Sequence, residues 1–177
     1  MVLFDATMLL LFLSPNTPAP LDPKTGKQVA EPKKRIDYLV QTLQEARTKI
    51  IVPTPALSEI LVRAGKAGSS YLPIIERSSA FRIAPFDTRA AVEVAIMARE
   101  ASEKGKKKIS PAVTYAKIKY DRQIVAIGKT LSVTAIYSDD RELKALAESQ
   151  SIKAYGIAEL PLPPEDAQTK LGFISQP

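Results

Sequence analysis

Asp5 interrupts the apolar run MVLFDATMLLLFL. A carboxylate removed from water needs a pairing partner or a bound cation, because a lone buried charge is costly. Asp121, in YAKIKYDRQIVAIGK, has Ile118, Ile124 and Val125 at helical spacing around it. Glu59, in PALSEILVRAG, lies beside the helical face formed by Leu57, Ile60, Leu61 and Ala64. Asp139 and Asp140 follow the strand-like VTAIY. Each acid also has a bland reading. Asp5 caps a helix beginning near Thr7, and Glu59 is a solvated helix residue. Asp121 pairs with Lys117 or Arg122, and the Asp139–Asp140 pair sits at the positive end of a helix dipole. If the fold gathers these acids, such a cluster cannot stay ionised without cations. An all-oxygen ligand set suits Mg²⁺ or Mn²⁺.

The residue inventory removes other chemistries. The chain has no histidine and no cysteine. A Ser-His-Asp triad, a histidine acid/base pair and an HExxH zinc helix are therefore excluded. Disulfides and thiolate–zinc sites are excluded as well. A hydrolase built from this sequence would work through carboxylates and the hard cations they hold.

The elements that must position these acids are legible as strands alternating with helices. Strand-like runs occur at Val2–Phe4, Ile50–Val52, Phe81–Ile83, Val133–Tyr137 and Ile152–Tyr155. Helical patterns start at Pro32 and at Thr54-Pro55, the latter running to about Ala64. A short helix is expected over Tyr71 to Arg77, and Asp87 caps a longer one reaching about Glu103. Ser110-Pro111 caps the next, to about Thr130, and Ser138 caps the last, Asp139 to Glu148. Alternation of this kind requires crossover connections and a mainly parallel sheet. In such sheets, sites lie beyond the carboxyl ends of the strands, where Asp5 and Asp139–Asp140 fall.

At 177 residues, 45% hydrophobic and 25% charged, the chain is expected to be one soluble globular domain with a real core. No apolar run approaches a membrane span, and the opening run lacks the basic start of an export signal, so a cytoplasmic location is the expectation. The domain is expected to cover residues 1–160, with a long irregular loop at 14–30. A proline-rich tail follows at 161–177. The net charge is +6, and residues 104–129 hold eight basic residues against Asp121 alone. The whole positive excess thus lies in one segment: either a solvated face or a polyanion contact. Lys104, Lys106, Lys107, Lys108, Lys117 and Arg122 are its candidate polyanion-contact residues.

The succession FDAT, PALSEIL, YDRQIVAIGK and YSDDRELKALAES resembles the PIN-domain ribonucleases, which include VapC-type toxins. The resemblance extends to about Leu160. It implies a PIN-like three-layer α/β/α fold with a mainly parallel central sheet. It also implies a Mg²⁺- or Mn²⁺-dependent endoribonuclease that hydrolyses RNA phosphodiester bonds. It carries Asp5, Glu59, Asp121 and Asp140 over as catalytic and metal-binding acids. Ser138 is the hydroxyl residue two positions before the last acid, and Asp139 is an additional metal-ligand candidate. The partners implied are an RNA substrate, a protein antitoxin and a second copy of the chain in a homodimer. The loop at 14–30 and the tail beyond Leu160 exceed what compact toxins of this family carry. Two alternatives remain. One is an RNA-binding PIN-like module without cleavage, which would not need the acids intact. The other is a haloacid-dehalogenase-type phosphohydrolase, which would need a second acid where Thr7 stands.

Overall fold

The computed structural model describes residues 1–103 and 115–164. Five parallel strands form one sheet: β1 (Val2–Phe4), β2 (Ile50–Pro53), β3 (Phe81–Ala84), β4 (Ala135–Tyr137) and β5 (Lys153–Tyr155). Their spatial order is β3-β2-β1-β4-β5. The helices that flank the sheet are α1 (Ala6–Leu13), α2 (Pro32–Glu45), α3 (Thr54–Ala64), α4 (Gly68–Arg77), α5 (Thr88–Glu103), α6 (described over Tyr115–Thr130) and α7 (Arg141–Ser149). The expected α/β architecture with a parallel sheet is the one observed.

The strand order decides where a site can form. From β1 the chain moves outward to β2 and β3, then returns to the other side of β1 to lay down β4 and β5. The direction of winding therefore reverses between β1 and β4. A crevice opens at such a switch point, beyond the carboxyl ends of the two strands. All five strands are parallel, so the segments leaving β1, β2 and β4 emerge at this same edge.

The apolar runs become strands because they are covered on both faces, as parallel strands are. Val2, Leu3 and Phe4 are buried, as are Ile50, Ile51 and Val52. α1 is apolar almost all round because α2 and α3 pack against it, which buries Met8 to Leu11. α6 lies close to the sheet at Gly128. A Cβ there would stand 3.1 Å from Val133 Cγ2 and 3.5 Å from Leu3 Cδ1.

Loop 14–30 is mostly irregular, as expected, but carries a small antiparallel bridge between Leu21 and Gln28. Its turn is closed by the Asp22 side chain, which accepts from Lys24 N at 2.9 Å and Thr25 Oγ1 at 3.1 Å. Several boundaries differ from expectation: α4 starts at Gly68 rather than Tyr71, and β4 at Ala135 rather than Val133. α7 is capped by Asp140 rather than Ser138, and it starts at Arg141. Ser138 is turned inward instead and engages Asp5. The Ser110-Pro111 start of the sixth helix lies outside the described residues. So do Lys104, Lys106, Lys107 and Lys108, the side chain of Lys117, and the tail from residue 165. Among the described residues no helix is long and apolar enough to cross a membrane.

Candidate functional site

Register brings the first two functional side chains together. Phe4 pairs with Tyr137, so the next residues on each strand, Asp5 and Ser138, stand side by side past the strand ends. Asp5 is 4% exposed and Ser138 is fully buried. Both readings of Asp5 hold at once. Its Oδ1 caps α1 by accepting from Met8 N at 2.9 Å, and its Oδ2 accepts a hydrogen bond from the Ser138 hydroxyl. Ser138 Oγ in turn accepts from Asp140 N at 3.0 Å. One hydroxyl thus locks the Asp5 carboxylate to the turn that carries Asp140.

Burial pushes the Asp5 carboxyl up to about 7, against the pull of the Met8 N–H and the Ser138 hydroxyl. The charges of Asp139 and Glu59 add to the rise. Desolvation dominates, so the group holds its negative charge at a cost that a nearby cation would offset.

Asp140 caps α7, its Oδ1 accepting from Glu142 N at 2.8 Å and Leu143 N at 3.1 Å. Asp121 projects from α6 and is 9% exposed. Carboxylate oxygens of Asp121, Asp140 and Glu142 lie within 4.8 Å of one another. With bonds of about 2.1 Å, a Mg²⁺ ion joins oxygens up to about 4.2 Å apart, so small side-chain rotations close the set. An all-carboxylate donor group fits a hard cation. Glu59, on the exposed edge of α3, pairs with Arg63 Nε at 3.3 Å.

Asp5, Glu59, Asp121 and Asp140 all line one open cleft of about 550 Å³. Thr7, Ser58, Val62, Arg63 and Tyr120 also line it. Four segments distant in sequence therefore deliver their acids to a single crevice at the switch point.

Asp139 is the departure. It points away from the cleft, its Oδ1 accepting from Ile157 N at 2.9 Å. A Cβ on Gly156 would stand 2.7 Å from that oxygen, so a larger residue there would make the Asp139 carboxylate shift. Asp139 Oδ2 is buried without a hydrogen-bond partner among the described residues. Burial raises its carboxyl, the Ile157 N–H and Lys144 oppose the rise, and Glu159 reinforces it. The expected metal ligand is thus oriented to the turn after β5. Consecutive residues leaving a strand point to opposite sides, which is why Asp139 and Asp140 part company. Glu142 is the acid that sequence reasoning passed over. Its only signal is its place two residues after Asp140, where first-turn acids are commonplace on dipole grounds alone. Arg122 is partly exposed and does not line the cleft.

No protein-family model matches the sequence, and no curated protein is detectably similar to it. Solved structures are similar in fold. VapBC2 from Rickettsia felis, bound to a DNA fragment from its promoter, aligns over 88% of this chain and 98% of its own. The TM-score is 0.58 at 12% identity. DNA-bound VapBC from Salmonella typhimurium aligns over 88% of this chain and 97% of its own, with a TM-score of 0.54 at 16% identity. The chain shares the fold of these VapBC structures, a PIN-like α/β arrangement around a five-stranded parallel sheet.

Proposed function

We propose that this protein is a metal-dependent endoribonuclease. The observation that carries the reading is the convergence of Asp5, Glu59, Asp121 and Asp140 on one cleft at the sheet's switch point. A charged cluster around a buried carboxylate as raised as Asp5 is what a cation site looks like before its charge is balanced.

Asp5, Asp121 and Asp140 would hold Mg²⁺ or Mn²⁺, with Glu142 and Glu59 completing the set from its exposed side. When bound, such a cation lowers the pKa of a water and offsets the charge gathering on the phosphate. The protein's own work is orientation. Met8 N–H and Ser138 fix the Asp5 carboxylate, and the α7 amides fix Asp140, so neither acid must reorganise as charge develops. Arg63 is the cation that lines the cleft among the described residues. It pairs with Glu59 on the exposed side of the cleft.

Lys104, Lys106, Lys107, Lys108, Lys117 and Arg122 would carry the RNA backbone to the cleft through phosphate contacts, which position a strand without reading its sequence. The fold-level likeness to VapBC structures supports a protein antitoxin as a second partner. A homodimer and a cytoplasmic setting go with the same reading. A binding module without cleavage would not need the four acids gathered in one cleft.

The test is RNA cleavage with Mn²⁺ and with EDTA, on wild type and on Asp5→Asn. Cleavage by wild type with Mn²⁺ alone, lost in folded Asp5→Asn with RNA binding retained, is the expected result. Full activity in folded Asp5→Asn would refute the reading.

A further inference from the structure

Two large apolar side chains stand exposed on the rim of the acidic cleft, on different helices. Val62 of α3 is 78% exposed and Tyr120 of α6 is 51% exposed, and both line the cleft. Scattered exposed apolar residues are ordinary. These two are not scattered, because they share one crevice with the acids. Among the described residues the Tyr120 ring makes no aromatic contact and its hydroxyl no hydrogen bond. The helix anchors itself elsewhere, through buried Ile124, Val125 and Ile127. Tyr120 is thus a half-exposed aromatic side chain lining the cleft beside its acids.

Tyr120 directly precedes Asp121, and adjacent Cα atoms are about 3.8 Å apart. Both side chains line the same cleft, so a strand whose phosphate sits at the Asp121–Asp140 acids would have a neighbouring base within reach of this ring. Aromatic rings take any base by stacking, because every base has a π-face. We infer that Tyr120 stacks a nucleobase flanking the scissile phosphate, with Val62 offering apolar surface to the same base. The cleft then selects RNA with an unstacked base, in a single strand or a loop, over a continuous duplex. This inference rests on the ribonuclease reading above.

The test compares wild type, Tyr120→Phe and Tyr120→Leu. Binding of a short unstructured RNA and of the same sequence as a blunt duplex is followed by fluorescence anisotropy. Ca²⁺ replaces Mn²⁺ to withhold cleavage, and cleavage of the single strand is then measured with Mn²⁺. Loss of one stacked base should weaken single-strand binding by Tyr120→Leu roughly tenfold. Tyr120→Phe, which keeps the ring, should stay within about twofold of wild type. Duplex affinity should not change between variants, and the cleavage defect of Tyr120→Leu should appear in KM rather than kcat. Equal single-strand affinity in wild type and Tyr120→Leu would overturn the inference and leave the ring to another occupant, such as an apolar segment of a protein partner. An equal loss in Tyr120→Phe would overturn it too, since the hydroxyl and not the ring would then matter. Failure of wild type both to bind and to cleave RNA would refute the ribonuclease reading and this inference with it. Cleavage by wild type with an unaffected Tyr120→Leu would refute the inference alone.

Discussion

Replacing Asp5 by Asn should stabilise the metal-free protein at neutral pH while destroying its proposed cation site. The Asp5 carboxyl titrates at 3.8 when unfolded and at about 7 in the folded chain, because burial penalises its charge. At pH below 3.8 both states hold the proton. Between 3.8 and about 7 the folded state holds a proton that the unfolded state releases, so stability falls as pH rises. Above about 7 both states are ionised and the loss is complete. At about 1.4 kcal/mol per unit, the full loss is about 4 kcal/mol. Asn does not titrate. Its Oδ1 can still accept from Met8 N, but its amide must donate to Ser138 Oγ where the hydroxyl donated before, at a cost of about 1 kcal/mol. In EDTA, Asp5→Asn should be less stable than wild type by about 0.5 kcal/mol near pH 4 and more stable by about 3 kcal/mol at pH 8. Urea unfolding from pH 4 to 8.5 reads the difference directly. The raised Asp139 carboxyl is common to both proteins and largely cancels. Parallel pH profiles for the two proteins would refute the argument that Asp5 bears an uncompensated buried charge.

Three further outcomes are expected, two from the acids of the cleft and one from the basic segment of the sequence. Mn²⁺ at roughly a hundred times Kd should add about 2.7 kcal/mol and raise the Tm by about 5–10 °C for a chain of this size. The rise should shrink in Asp121→Asn and in Glu142→Gln, whose oxygens share the cluster, and persist in Asp139→Asn, which is turned to Ile157. A full rise in Asp121→Asn would take that acid out of the site. Changing Lys104, Lys106, Lys107 and Lys108 together to Ser should leave the melting temperature nearly unchanged. It should weaken binding to every RNA alike and flatten the slope of log K against log salt by about 0.7 for each phosphate no longer neutralised. An unchanged slope would move the RNA path away from this segment.

How legible each feature was depended on how local its cause is. The strands could be read because short, continuous apolar runs bounded by helix signals leave few alternatives, and β1, β2 and β3 match within a residue. The site edge followed from topology, since acids after strands one and four must share it in a parallel sheet. The Ser138–Asp5 hydrogen bond spans 133 residues, and nothing near Ser138 distinguishes it from an ordinary helix cap. Only the Phe4–Tyr137 register reveals it. Asp139 and Asp140 are indistinguishable by composition. The alternation of side chains leaving β4 separates them, and Asp139 is held on the far side by the Ile157 N–H. Glu142 was illegible for a related reason. A glutamate in a first turn needs no further explanation, and its role depends on how α7 packs against α6.

Everything proposed for the cleft depends on its acids forming one cation site. Crystals of the protein grown or soaked with Mn²⁺ and measured at the manganese edge put that to the most stringent test. An anomalous peak is expected in the cleft, bonded to carboxylate oxygens of Asp121 and Asp140 and lost in Asp121→Asn crystals. A well-ordered cleft with no peak at saturating Mn²⁺, or a peak held by Asp139 on the far side, would show that these acids are not a cation site.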